Sequence, residues 1–420
     1  MNAGKQHPRG GSPKEQRTLA GSEISQVPKT AGAGRRRRSL PHASRQRSRP
    51  LSEETLRTTP LHAAHVAAGA RMVPFAGYSM PVQYKDGVLK EHLWTRAHAG
   101  LFDVSHMGQA RLRGEAPLAA FQQVTPGDFK GLKAGKQRYS VLLNASGGII
   151  DDLMAARPDD DGLFVVVNGA CKDNDFKVMG EALAGQVEIE RLEDRALMAL
   201  QGPEACAVLT AHIPQAAQMV FMDSAALEGF GTDVLLSRSG YTGEDGYEIS
   251  VPASEAERVW NMLLADERVR PIGLGARDSL RLEAGLPLYG HDVDETVSPI
   301  EADLGFAVSV KRREAADFPG AARILGELQG AATRKRVGLK VLEGAPAREG
   351  AEIADEDGKV IGIVTSGGFA PSLSAPIAMG FVPPAFASPG TRLRVIVRGK
   401  PQSAEVTAMP FVPHRYVRKL

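Results

Sequence analysis

The sequence predicts a mixed α+β body followed by a β-rich C-terminal domain, and three observations carry that reading. Tyr247, Ile249 and Val251 alternate with Glu248 and Ser250, the period-2 pattern of a strand with one apolar face, and Val259, Trp260, Leu263 and Leu264 follow at helical spacing. Leu163 to Val167 is a short unbroken apolar run closed by Asn168-Gly169, which reads as a central strand ending in a turn. After about Gly330 the texture changes to short β-like runs separated by turn residues: Val337–Val341, Val360–Thr365, Met379–Val382, Leu393–Val397 and Ala404–Thr407.

In chain order, structure is expected to begin near Thr59-Pro60, where Thr58 or Thr59 can cap a helix starting on Pro60. Glu248 and Ser250 point away from the apolar side of their half-buried strand. Ser254-Glu255-Ala256-Glu257 reads as a capping box opening the next helix. Asp357-Gly358 is a hairpin signal, since both turn positions require positive φ. Six or so short strands in the last 90 residues suggest a small barrel or sandwich. The resulting division is a basic extension over 1–57, a mixed α+β body over 58–329 and a β domain over 330–420.

Composition narrows the function classes. The chain is 43% hydrophobic and 24% charged, ordinary for a soluble globular protein with a real core. Cys171 and Cys206 lie far apart with no histidine cluster nearby, so neither a disulfide framework nor a zinc site is expected, and a reducing compartment fits. No stretch approaches the ~18 apolar residues of a bilayer span, so no membrane partner is expected. The net charge of +2 conceals an asymmetry: residues 1–50 hold twelve Lys or Arg against Glu15 and Glu23, and the remainder carries 39 basic and 47 acidic residues. The basicity belongs to the tail, so a nucleic-acid partner is not expected for the body. The tail, densest at Arg35–Arg38, is expected to be disordered. Its composition favours a plain solvated extension over a mitochondrial transit peptide, because the amphipathic stripe is missing; a nucleic-acid arm comes third. Bacterial cytoplasm is the expected compartment, with mitochondrial matrix as the alternative.

Several segments hold residues suited to chemistry, and each has a plainer reading. Asp103, between Phe102 and Val104, would be desolvated unless partnered, which raises a carboxyl pKa; a cap or turn aspartate is the plainer reading. His106 reads as a hydrogen-bonded structural histidine. Gly240–Glu248 contains three glycines that admit close backbone approach, or simply form a tight loop entering a strand. Asp278 and Arg281 are spaced for a surface ion pair on a helix, the plainer reading for Arg277 as well. Gly273-Leu274-Gly275 lacks the third glycine of a dinucleotide fingerprint. Singly, none of these segments names a reaction.

Together and in order they do. Thr59–His62, Val73–Tyr78, Met80–Tyr84, Leu101–Gly108, Gly147–Asp152, Gly240–Pro252, Ala276–Gly285, Arg336–Leu339, Val364–Gly368, Ala378–Gly380 and Met409–Pro413 resemble the aminomethyltransferases (T-proteins) of the glycine cleavage system. The resemblance runs from about Thr58 to Leu420. It implies a multi-lobed, folate-binding aminomethyltransferase fold with a C-terminal β-barrel. The implied reaction moves the methylene carbon of an aminomethyl group on lipoylated H-protein to tetrahydrofolate, a co-substrate, with no metal.

The resemblance also assigns residues. Asp103 matches the catalytic aspartate, Glu248 the acid that grips the pterin ring, and Arg277 and Tyr416 residues lining the folate site. Tyr241 matches a ring beside the pterin, and Asn168 and Met80 lie in stretches that approach the ligand. The residue types suit the chemistry. A pterin offers adjacent N–H donors to one carboxylate, folate carboxylates suit an arginine fork, and a carboxylate can stabilise cationic character at the reacting carbon. Two rivals share the resemblance: the folate domain of sarcosine- or dimethylglycine-oxidising enzymes, and a folate-binding accessory protein of RNA modification.

Overall fold

A computed structural model describes residues 56–419. The basic extension expected over 1–57 lies outside the described residues except for its last two. Arg57 is already ordered: its amide donates to Gly77 O (3.0 Å) and its carbonyl accepts from Ser79 N (2.9 Å).

Two sheets position everything that follows. The first runs in the order Ser224–Gly229, Thr232–Ser237, Gly246–Pro252, Arg195–Gln201, Ala99–Asp103, Val269–Pro271. The second runs Lys136–Leu143, Ile149–Arg157, Leu163–Val167, Gly108–Arg113, Glu188–Arg191, with the unbroken apolar run in its centre. Ala99–Asp103 belongs to one sheet and Gly108–Arg113 to the other, so the Asp103–His106 motif is where the chain crosses between them.

Tyr247, Ile249 and Val251 bury against Val259, Trp260 and Leu263, as the periodicity requires. Each such side chain contributes about 1.5–3 kcal/mol on burial. The strand's other face is not solvated, which departs from the half-buried expectation. The second sheet covers it, with Ala156 and Phe164 packed on Leu235. Ser250 is fully buried there and satisfied, donating to Gln109 Oε1 (2.6 Å) and accepting from Arg195 Nε (2.9 Å).

Neither expected helix cap forms. Ala253–Glu255 is a 3₁₀ turn, so the helix Ala256–Leu264 starts past Ser254 without a side-chain cap. Glu255 instead pairs with Arg258 at 2.6 Å. The first helix is His62–Ala67, also uncapped by a side chain. Thr59 stands outside it, and its hydroxyl is used by Asp103.

The C-terminal strands close into a six-stranded barrel rather than a sandwich, in the order Lys335–Val341, Ala375–Val382, Val360–Ala370, Glu352–Ala354, Arg392–Val397, Lys400–Thr407. Leu339 lies opposite both Ala378 and Val406, which closes the ring. Glu352–Ala354 escaped the sequence pattern because three residues show no periodicity. At the Asp357-Gly358 turn only Gly358 takes positive φ (86°). The Asp355 carboxylate fixes the turn by accepting from Asp357 N (3.1 Å) and Lys359 N (2.9 Å).

The Asp278–Arg281 pair forms, with Asp278 exposed as expected, but Arg281 runs inward from it. Arg281 is 3% exposed and, besides Asp278, donates to Asp292 Oδ2 (2.9 Å) and to Ser366 Oγ of the barrel (2.9 Å). Asp292 also accepts from Thr365 and Ser366, so the helix Leu274–Glu283 and the barrel meet on one buried carboxylate.

Candidate active site

Asp103 ends its strand, and its side chain turns inward where the chain crosses to the second sheet. Oδ1 accepts from Ser105 N (2.9 Å), the turn bond that its local sequence suggests. Oδ2 accepts from Thr59 Oγ1 (2.7 Å) and from His65 Nε2 (2.9 Å). Burial pushes this carboxyl up, but the hydrogen bonds from His65, Ser105 and Thr59 and the field of His65 outweigh it. The net effect holds Asp103 below the usual carboxylate range. Three of about four acceptor directions on the carboxylate are thus occupied, leaving one on Oδ1.

His106 stands differently from its sequence reading as a hydrogen-bonded structural histidine. Its ring is 5% exposed, held edge-on by Phe75 (5.4 Å) and Tyr78 (6.4 Å), and Nδ1 has no hydrogen-bond partner. Burial lowers its pKa to about 4; Asp103 pulls it up, and Arg277 and Lys172 push it further down. A side chain at Gly169 would place Cβ 2.7 Å from His106 Cδ2, so the Asn168-Gly169 turn is pressed against this ring.

Arg277 carries a second orphaned polar atom, its buried Nη1, which is a donor. Its guanidinium lies 4.9 Å from the centre of the Tyr241 ring. Burial lowers its pKa against the opposing fields of Glu248 and Tyr241. The surface ion pair that is the plainer sequence reading for Arg277 is absent: its guanidinium turns inward onto the Tyr241 ring, while Asp278 beside it is exposed. Tyr241 donates its hydroxyl to Pro287 O and is itself raised by burial. Glu248 points off the polar face of its strand into a small cavity between the sheets, lined also by Met154, Phe164, Val166, Leu197 and Leu235. Its side-chain partner is Ser239 Oγ at 2.6 Å.

Asn168, at the end of the central strand, is fixed by two acids that sequence reasoning passed over. Its amide nitrogen donates to Asp151 Oδ1 (2.9 Å) and Asp152 Oδ1 (2.8 Å). Its backbone N–H donates to Asp151 Oδ2 (2.9 Å). Burial raises both aspartates, and Asp175 with them.

The structure therefore gathers Asp103, His106, Asn168, Arg277, Tyr241 and Glu248 around the sheet junction, where the charges of several reach one another. Tyr416 stands apart, and Met80 packs in a strand that touches the site. Tyr416 stacks on Phe221 at 4.0 Å and lies 4.8 Å from His414, with no contact to Arg277 or Glu248. Met80 is fully buried in the strand Tyr78–Gln83, paired with Val73. A wider surface cleft between Arg113 and Arg312 contains none of these residues. Thr59, His65 and Tyr84 were missed as site residues although their segments stood out, because their roles depend on a fold that brings residues 59, 65, 84 and 103 together.

Comparisons with known proteins identify the family. Residues 61–312 match the GCVT N-terminal domain model, and residues 334–413 the glycine cleavage T-protein C-terminal barrel domain. A mitochondrial aminomethyltransferase of Mus musculus is 46% identical over 379 residues, 88% of this chain and 94% of its own length. The probable mitochondrial aminomethyltransferase of Schizosaccharomyces pombe is 43% identical, covering 89% of this chain and 97% of its own. The crystal structure of glycine cleavage system aminomethyltransferase T from Bartonella henselae superposes with a TM-score of 0.83 at 44% identity, covering 86% of this chain and all of that one. With both domain models matched and identity of this level sustained through body and barrel, the chain belongs to the aminomethyltransferase (T-protein) family of the glycine cleavage system.

Proposed function

We propose that the gathered residues form the tetrahydrofolate site and that the co-donor is lipoylated H-protein. The observation that carries this is the pair of buried, unpartnered polar nitrogens, His106 Nδ1 and the donor Arg277 Nη1, beside a junction that also holds Glu248. Buried polar groups without partners cost about 1–3 kcal/mol each, a penalty that a polar ligand would relieve. Glu248 grips the pterin donors, Arg277 and Tyr241 flank the ring, and the Asn168 side-chain oxygen, which accepts no hydrogen bond among the described residues, is available to the ligand. Met80 and Tyr416 belong to the outer lining in this reading.

In the transfer, the methylene carbon bonds to two folate nitrogens as its bonds to the amine nitrogen and to sulfur break. The two folate N–H protons end on ammonia and on the carrier thiol. Cationic character develops at the methylene carbon, and the Asp103 carboxylate stabilises it or relays the departing proton. Because that carboxylate is buried, its field is screened less than it would be at the surface.

The division at 329/330 is our proposal for the domain boundary, supported by the first barrel strand beginning at Lys335. The bacterial-cytoplasm expectation is not supported by the curated relatives, which are named as mitochondrial proteins and favour the matrix.

The test is production of ammonia and methylenetetrahydrofolate from aminomethylated H-protein and tetrahydrofolate. Both products, absent without folate, would support the reading. Folate binding without turnover would move it to the accessory class.

A further inference from the structure

Asp103 does not stand on its own hydrogen bonds alone. His65 Nε2 lies 2.9 Å from Asp103 Oδ2, and His65 Nδ1 lies 2.8 Å from the Tyr84 hydroxyl. All three side chains are buried; those of His65 and Asp103 have no exposed surface at all. The imidazole is further clamped edge-on by Trp260 at 5.3 Å and by Tyr84 at 6.1 Å. Tyr84 is tied in turn, its amide donating to Glu91 Oε1 (2.6 Å), while Glu91 Oε2 accepts from Gly273 N (2.8 Å).

We propose that His65 and Tyr84 are positioning residues for the aminomethyl transfer: Tyr84 donates to His65 Nδ1, which fixes the tautomer that points the Nε2 hydrogen at Asp103 and keeps that carboxylate ionised and aimed. The inference rests on the reading of Asp103 as the reacting carboxylate.

The direction of the chain follows from what each member can do. A buried phenol held far above its ordinary pKa by burial and by the charges of Asp103 and Glu91 keeps its proton, so its hydroxyl is available as a donor. The partner nitrogen is then an acceptor, and in a neutral imidazole the hydrogen sits on the other nitrogen, which faces Asp103. The groups facing Asp103 are Thr59 and His65 from the N-terminal segment, Ser105 and His106 from its own turn, and Tyr84 with Glu91 behind it. Of these only the His65 chain both donates and is oriented by a third group. A carboxylate in a site this dry would otherwise take up a proton, and a protonated Asp103 neither stabilises a cationic carbon nor accepts a proton.

The test is the pH dependence of single-turnover aminomethyl transfer, with folate affinity measured alongside, for His65→Leu, His65→Gln, Tyr84→Phe and Asp103→Asn in the full chain. Asp103 must be ionised, so activity falls as pH drops through its pKa. Loss of the His65 donor raises that pKa and moves the acid limb upward. We expect His65→Leu to move it by about one unit or more, leaving roughly a tenth of the rate at a pH one unit below the new value. Tyr84→Phe should move it less, in the same direction. His65→Gln, which returns an N–H to the place of Nε2, should restore part of the profile, and folate affinity should change little throughout. Unshifted acid limbs in both His65→Leu and Tyr84→Phe, or a rate loss uniform in pH, would overturn the proposal while Asp103→Asn remained inactive. An active Asp103→Asn would instead overturn the reading beneath it, and the positioning role with it. Should His65→Leu fail to fold, Tyr84→Phe decides alone, because it removes one hydroxyl.

Discussion

Replacing Glu248 by Gln separates ligand binding from folding at one position. The Glu248 carboxylate has one side-chain partner, Ser239 Oγ, at 2.6 Å, and the glutamine carbonyl can still accept that bond. The fold should therefore lose less than about 1 kcal/mol. The ligand loses more. A pterin presents two adjacent donors; the amide accepts one and sets its own NH2 against the other. Charge-assisted hydrogen bonds contribute about 1.5–3 kcal/mol each, so losing one and creating a donor–donor clash should weaken folate binding by about two orders of magnitude. Calorimetric titration with tetrahydrofolate, beside a thermal melt of the same preparation, reads both quantities. Unchanged affinity would refute the reasoning and leave Glu248 a strand residue that caps Ser239.

Other outcomes follow from the buried charges. Arg281→Met strands the Asp292 carboxylate between helix and barrel and should cost about 3–5 kcal/mol, lowering the melting midpoint by on the order of 10 °C. Adding Asp292→Asn should recover part of that loss, and a melt of each variant would show it. Asp175 is fully buried with no donor to either carboxylate oxygen, and burial, then the charge of Asp151 and a hydrogen bond shared with it, raise its pKa. The folded protein thus holds that proton more tightly than the unfolded chain, so its contribution to stability is present at low pH and declines as pH rises through the folded value. Asp175→Asn should remove the decline, raising the melting midpoint more at pH ~9 than at pH ~5. Equal effects at both would count against a protonated Asp175.

Much of this architecture was legible before any coordinates. The alternation around Tyr247 located its strand and the helix behind it, the run at Leu163–Val167 found the central strand of the second sheet, and five of six barrel strands were marked by their turns. What failed did so for physical reasons. The Ser254 capping box and the Thr59 cap are local signals, and tertiary demand overrode both: a 3₁₀ turn displaced one, and Asp103 took the hydroxyl of the other. Ser250, read as an outward residue, is buried because a second sheet covers its face, which one strand's periodicity cannot report. The site was legible as motifs and not as contacts. Asp103 looked like a turn aspartate, and it does make the turn bond. Its other partners, Thr59 and His65, lie 44 and 38 positions away, and no spacing rule connects them. His106 was read as satisfied, and its orphaned Nδ1 is a fact of packing alone.

The central claim is that the buried carboxylate of Asp103 acts on the reacting methylene. Single-turnover transfer from aminomethylated H-protein to tetrahydrofolate by Asp103→Asn, in a preparation whose melt and folate affinity match the parent chain, tests it most directly. The rate should fall by at least about a hundredfold, the low end for removing a positioned acid–base group. A rate within a few-fold of the parent would contradict it.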